Sequence, residues 1–231
     1  MPTPREYRQL RFERPSGASE LLLVRHGESE PAVFGRPFPL VDGHGDPALS
    51  AEGRAQAALV CRRLADQGLD AVYVTSLRRT LETAEPLARR LGLEPVVERD
   101  LREVFLGDWE GGLFRRKVAE GDPVARRMYE EQRYDVIPGA EPASEFSRRV
   151  SGAVRRMAVN HPDQRVAVFC HGGTIGEILA QATGARPFAF TGCDNASLSH
   201  LVVMPGRWQL RLFNDTSHLE QGPPTGAAPL T

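Results

Sequence analysis

Apolar and polar positions alternate along the chain in blocks of two kinds. Leu21-Leu22-Leu23-Val24, Ala71 to Thr75 and Arg165 to Cys170 are short apolar runs. Continuous runs of this length suit strands buried on both faces. Each is followed by a helical pattern. Ser50 can cap a helix from Ala51 to about Gln67, stopped by Gly68. A second is predicted from Arg79 to Leu91 before Gly92, a third from Ala143 to Asn160 before Pro162, and a fourth from Thr174 to Ala182 before Gly184. Strand and helix in repetition predict an α/β domain with a largely parallel sheet. Ser197–Met204 and Trp208–Phe213, joined by Pro205-Gly206-Arg207, read as a terminal hairpin.

The remaining segments read differently. Residues 1–19 are polar with four Pro or Gly breaks and read as an irregular arm. Residues 20–220 read as a single domain. The charged stretch 113–138 reads as a helical insertion over the sheet edge, and 221–231, rich in Pro and Gly, as a frayed tail.

Composition narrows the functional classes. With 231 residues the chain can bury a core without disulfides or metals. Its 29 basic and 30 acidic residues nearly cancel, which argues against a nucleic-acid or membrane-surface binder. Only Lys117 among the basic residues is a lysine; the seven Arg-Arg pairs read as solvated helix faces. No run of 18 apolar residues is present, so no membrane span is expected. Three scattered cysteines and a charged N-terminus without an apolar stretch point to a reducing, cytoplasmic setting.

Four segments carry candidate chemistry. Arg25-His26-Gly27-Glu28 and Cys170-His171-Gly172-Gly173-Thr174 each place a histidine and a glycine just after an apolar strand. Ligands of parallel sheets bind beyond those strand ends. An arginine forks onto phosphate oxygens, and a helix start near Gly173 offers N–H groups to an anion. Either histidine alone could be structural, and two together could ligate a metal. The arginine and the helix start favour an anion instead. In Ser76 to Ala84, Arg78 and Arg79 point apart, so only one can face such a site. In Leu101 to Gly111, Glu103 lies beside Val104 and Phe105, where burial would raise its pKa; pairing with an arginine is the alternative.

Taken in order, these segments resemble the histidine phosphatase superfamily, with its phosphoglycerate-mutase-like fold. The matching pieces are Arg25-His26-Gly27-Glu28, Arg79 separated by three residues from Thr83-Ala84, Leu-x-Glu at 101–103 followed by Gly107-Asp108-Trp109-Glu110-Gly111, and His171-Gly172-Gly173. Asp46 to Gly53 resembles a further family stretch. The resemblance implies a three-layer αβα sandwich whose mostly parallel sheet has an antiparallel edge. It implies His26 as the nucleophile that becomes phosphohistidine, with Arg25, Arg79, His171 and Gly172 around the phosphoryl group. It implies Glu103 as general acid and base, and it implies no metal and no cofactor. The sequence around Glu103 resembles the phosphatase branch, which includes α-ribazole and broad-specificity phosphatases. A small phosphorylated substrate is therefore expected. A 2,3-bisphosphoglycerate-dependent mutase and a catalytically weak phospho-ligand binding module are the alternatives.

The chain departs from the family where an asparagine often follows the first motif; Ala32 stands there. The Pro- and Gly-rich loop 33–47 is expected at the pocket mouth, with Arg36 and His44 as substrate contacts. Arg115, Arg116 and Tyr134 are further candidates from the insertion. Phe188, Phe190 and the hairpin could supply a homodimer interface.

Overall fold

The computed structural model describes residues 7–219. The expected tail at 221–231 and the first six residues of the arm lie outside them.

Six strands form one sheet in the order β5-β4-β6-β1-β7-β8. β1 (Ser19–Arg25) pairs in parallel with β6 (Arg165–Cys170), which pairs in parallel with β4 (Ala71–Val74). β4 pairs in parallel with the two-residue β5 (Val96–Val97). β7 (Leu198–Met204) runs antiparallel to β1, and β8 (Arg207–Asp215) antiparallel to β7. This is the mostly parallel sheet with an antiparallel edge that the resemblance implies.

The central apolar runs are continuous because alternate residues enter different cores. Leu21, Leu23, Val166 and Val168 pack with α5 (Ala143–Asn160) and α6 (Gly172–Thr183) on one face. Leu22, Val24, Ala167 and Phe169 pack with α1 (Ala51–Leu64) and α2 (Arg78–Leu91) on the other. Two helical layers therefore enclose the sheet. A smaller cluster of Trp109, Ala125, Met128 and Ile137 lies under α3 (Leu113–Ala119) and α4 (Pro123–Glu131). Loop 33–47 contains a short hairpin, β2 (Leu40–Val41) with β3 (His44–Gly45).

Several boundaries differ from the pattern-based expectation. α1 stops at Leu64, because the Gln67 N–H turns back to the Leu64 carbonyl at 3.1 Å before Gly68 is reached. α6 starts at Gly172 rather than Thr174. There the Glu103 carboxylate accepts the N–H groups of Gly173 and Thr174, which offsets the low helix propensity of two glycines. The terminal hairpin turns on Pro205 and Gly206 alone, with Arg207 already in β8. β5 was not expected; two half-exposed valines carry no periodic signal. Among the described residues, no helix is long and apolar enough to cross a membrane.

Candidate active site

The site forms where β1 and β6 end side by side. Their register pairs Arg25 with Cys170, so the next residues, His26 and His171, become neighbours. Their rings lie 5.3 Å apart between centroids, edge to face. The Arg25–Glu28 segment crosses the N-terminus of α1 at a contact only glycines permit. A Cβ on Gly27 would sit 2.6 Å from the Gly53 carbonyl oxygen, and one on Gly53 would sit 1.9 Å from the Glu28 oxygen. The Gly27 N–H donates to Thr83 Oγ1 at 3.0 Å, and the Thr83 hydroxyl donates to the Arg79 carbonyl at 2.6 Å. α2 is thereby fastened to the end of β1.

Arg79, second residue of α2, is buried and donates to the Gly45 carbonyl at 2.9 Å. Arg78 points the other way and pairs with Glu82 on the exposed side of α2. The choice between the two arginines is thus settled by helix geometry. Asp46 caps α2 from the loop, its carboxylate accepting the Arg78 N–H at 2.7 Å.

Burial and positive neighbours control the imidazoles. His26 is held well below its ordinary pKa by burial first, then by Arg79 and Arg25. His171 is lowered in the same way by burial and Arg79. Arg79 itself is pushed down to about 10 by burial. At neutral pH both rings are uncharged. His26 Nδ1 lies 2.7 Å from the Gly27 carbonyl oxygen. A carbonyl only accepts, so Nδ1 carries the ring proton and Nε2 keeps its lone pair. His171 Nε2 meets the Thr75 hydroxyl at 3.0 Å. His171 Nδ1 and Arg25 Nε are both buried without a hydrogen-bond partner in the protein. Two such unpartnered groups at this end of the sheet suit an oxyanion.

Glu103 closes one side of the cleft. Its carboxylate accepts N–H groups from Val104 (3.0 Å), Gly173 (3.0 Å) and Thr174 (3.1 Å). Among the described residues no arginine forms an ion pair with it; it sits instead on the N-terminus of α6. A Cβ at position 173 would lie 2.6 Å from Glu103 Oε1, so Gly173 makes this seat available. The Glu103 backbone is fixed from α5. Arg149 donates to the carbonyls of Asp100 (2.7 Å), Arg102 (2.8 Å) and Glu103 (2.9 Å). Its remaining N–H groups grip both oxygens of Glu141 at 2.7 and 2.8 Å. All five guanidinium donors are used.

The resulting cleft of about 180 Å³ is lined by Arg25, His26, His44, Arg79, Glu103, Glu110, Arg115 and Tyr134, among others. His171 is fully buried behind His26, and Gly172 opens α6 against the Arg25 side chain. His44 reaches the cleft, held down to about 4 by burial and then Arg102. Arg36 does not. A tight turn, with the Arg36 N–H on the Val33 carbonyl at 3.0 Å, leaves it exposed beside a neighbouring cavity. From the insertion, Arg115 and Tyr134 reach the cleft, whereas Arg116 lines the neighbouring cavity.

Sequence reasoning missed Arg149, Thr75 and Asn195, whose Nδ2 donates to the His26 carbonyl at 2.9 Å. None of these stands in a local motif; each acts across a long sequence separation. Among the described residues, no group of three or more His, Cys, Asp or Glu is placed to hold a metal ion.

The family model of the histidine phosphatase superfamily (branch 1) matches residues 21–216. The chain belongs to that superfamily. It is 34% identical over 210 residues to phosphoglycerate mutase-like protein 4 of Arabidopsis thaliana, covering 88% of each chain. It is 32% identical over 202 residues to phosphoserine phosphatase 1 of Hydrogenobacter thermophilus, covering 87% of this chain and 94% of that one. The solved structure of a mycobacterial glucosyl-3-phosphoglycerate phosphatase superposes with a TM-score of 0.72 at 28% identity, over 86% of this chain and 100% of that one. This histidine phosphatase is therefore an enzyme of the phosphatase and mutase group, with the fold of that group.

Proposed function

We propose that this histidine phosphatase hydrolyses the phosphomonoester of a small phosphorylated molecule, without a metal, through a phosphohistidine on His26. The observation that carries the reading is the state of His26: uncharged, its Nδ1–H spent on the Gly27 carbonyl, in a cleft lined by Arg25 and Arg79. Nε2 attacks phosphorus, the P–O ester bond breaks, and Glu103 gives its proton to the leaving oxygen. Water then attacks the phosphohistidine; Glu103 takes the water's proton, phosphate leaves, and His26 returns to its starting form. Arg25 Nε, Arg79 and His171 Nδ1–H donate to the phosphoryl oxygens as charge develops. In that role His171 Nε2 is the acceptor and the Thr75 hydroxyl, 3.0 Å away, is its donor.

The test is hydrolysis of p-nitrophenyl phosphate by the wild type and His26→Ala, with EDTA present and absent. The expected result is turnover by the wild type alone, unaffected by EDTA, and an unchanged melting temperature for a folded variant. Equal turnover by His26→Ala would remove the mechanism, and a reversible loss with EDTA would remove its metal independence. Turnover that requires added 2,3-bisphosphoglycerate would favour a mutase.

A further inference from the structure

Beside the catalytic cleft lies a second cavity of about 740 Å³, and Glu110, Gly112 and Arg115 line both. Sites for metabolite-sized ligands usually measure about 300–1,000 Å³. The cleft alone falls below that range, whereas its neighbour lies within it. A leaving group of more than a few atoms has this cavity as its continuation.

The charged groups of this cavity leave more donors than acceptors to a guest. Both oxygens of Glu110 accept backbone N–H groups, from Gly45 at 2.6 Å and Leu106 at 2.9 Å. Glu28 accepts the Ser50 hydroxyl at 2.9 Å. The cations are less fully engaged. Arg115 uses two of its five N–H groups, on the Glu30 carbonyl at 2.9 Å and Ser29 Oγ at 2.6 Å. Arg116 Nε is buried without a hydrogen-bond partner among the described residues. The Glu120 carboxylate stands 3.6 Å from it, beyond hydrogen-bond reach and more than half exposed. The Arg116 guanidinium rests 5.2 Å from the Phe34 ring centroid, which holds it on the loop wall. Arg36 lines the same wall; its backbone N–H is bonded to the Val33 carbonyl, and its guanidinium has no partner among the described residues.

Three guanidinium groups thus stand with two carboxylates around one cavity. A guanidinium donates and cannot accept, so the guest that satisfies these groups brings acceptor oxygens and negative charge. The wall also includes Pro31, Val33, Phe34 and Leu113, which suit an uncharged linker.

We propose that this cavity is a subsite for a second anionic group, so that the preferred substrates are phosphomonoesters whose alcohol carries a carboxylate or phosphate at its far end. The inference rests on the hydrolytic reading above. It assigns specificity to Arg36 and Arg116, with Arg115 at the junction of cleft and cavity. The second anion stands a linker's length from the ester, not on the adjacent carbon.

Matched esters test it: n-alkyl phosphates of four to eight carbons, each beside the same chain ending in a carboxylate or a second phosphate. At these lengths the end group barely alters the acidity of the leaving alcohol, so the kcat/KM ratio within a pair reports recognition of that end. The anion-ended ester is expected to lead by at least about tenfold at the length that reaches the arginines, the worth of one charge-assisted hydrogen bond. The larger ratio, after halving that of the symmetrical bisphosphate, tells carboxylate from phosphate. Arg36→Glu, at an exposed position that should not disturb folding, is expected to lower the ratio at least tenfold. Arg116→Met, which keeps a stem against Phe34, should lower it by less. Ratios of one or below at every length, an unchanged ratio in Arg36→Glu, or a preference for phosphoserine over every anion-ended ester would each overturn the subsite while leaving the hydrolytic reading intact. Failure of the wild type to hydrolyse any ester, p-nitrophenyl phosphate included, would overturn both.

Discussion

At the floor of the cleft, every group proposed to hold the phosphoryl oxygens stands within two residues of a strand end or a helix start. Arg25 ends β1, His26 follows it, His171 joins β6 to α6, and Arg79 is the second residue of α2. At the roof, Glu103 comes from the irregular segment after a 3₁₀ turn, His44 from a two-residue strand, Arg115 from a seven-residue helix and Tyr134 from a 3₁₀ turn. The floor is held by the sheet ladder and two cores. The roof is held by polar side-chain contacts from far along the chain, such as those of Arg149 and Asp46. Regular elements thus fix the proposed nucleophile, and long-range side-chain contacts fix what surrounds it. Changes to the floor should act on every substrate alike, and changes to the roof should act selectively.

The largest effect is expected at the floor. Arg79→Gln removes a buried donor and should lower kcat/KM about 10²–10³-fold for good and poor leaving groups equally. A loss confined to one substrate class would erase the distinction between the regions. At the roof, Arg149→Gln releases the segment carrying Glu103. We expect about a 10²-fold loss on ethyl phosphate, whose alkoxide needs a proton, and less than tenfold on p-nitrophenyl phosphate, whose phenolate does not. Equal losses would mean that Arg149 only supports the fold, and retention of activity by Arg149→Lys on both substrates would show that charge suffices without the fork.

A smaller effect concerns pH. The proposed attack requires neutral His26, and burial, Arg79 and Arg25 all lower its pKa. The acid limb of kcat/KM, corrected for ionisation of the substrate, should therefore lie well below the ordinary histidine value of about 6.5. In Arg79→Gln one of the lowering charges is gone, so the residual activity should show that limb moved upward. A downward or absent shift would separate Arg79 from His26. The smallest effect is expected for Arg36→Ala, less than twofold on p-nitrophenyl phosphate, since Arg36 stands outside the cleft. A tenfold loss would bring loop 33–47 over the site during turnover.

The same division explains what the sequence discloses. The floor is legible because a strand, its terminal histidine and the next helix form a few consecutive residues, and the buried-strand runs already locate them. Arg79 could be separated from Arg78 only by register against Thr83-Ala84, and helix geometry agrees. The helix ends were less legible where a distant group intervened. Glu103 lets α6 start at Gly172, a contact spanning some seventy residues. Glu103 itself was found, but its seat on α6 was not, since Arg149 and Gly173 show their role only in three dimensions. Arg36 and His44 lie in one loop with similar local signals, yet only His44 reaches the cleft, because the Val33–Arg36 turn sends the arginine outward.

The pairing of Arg25 with Cys170 has a consequence for engineering. Because a β-ladder sets the spacing of the two imidazoles, that spacing does not depend on the identity of the loops above it. Segments 31–43 and 113–138 could be exchanged with those of a relative as interchangeable cassettes, and the chimaera would inherit a new substrate range around an unaltered histidine pair.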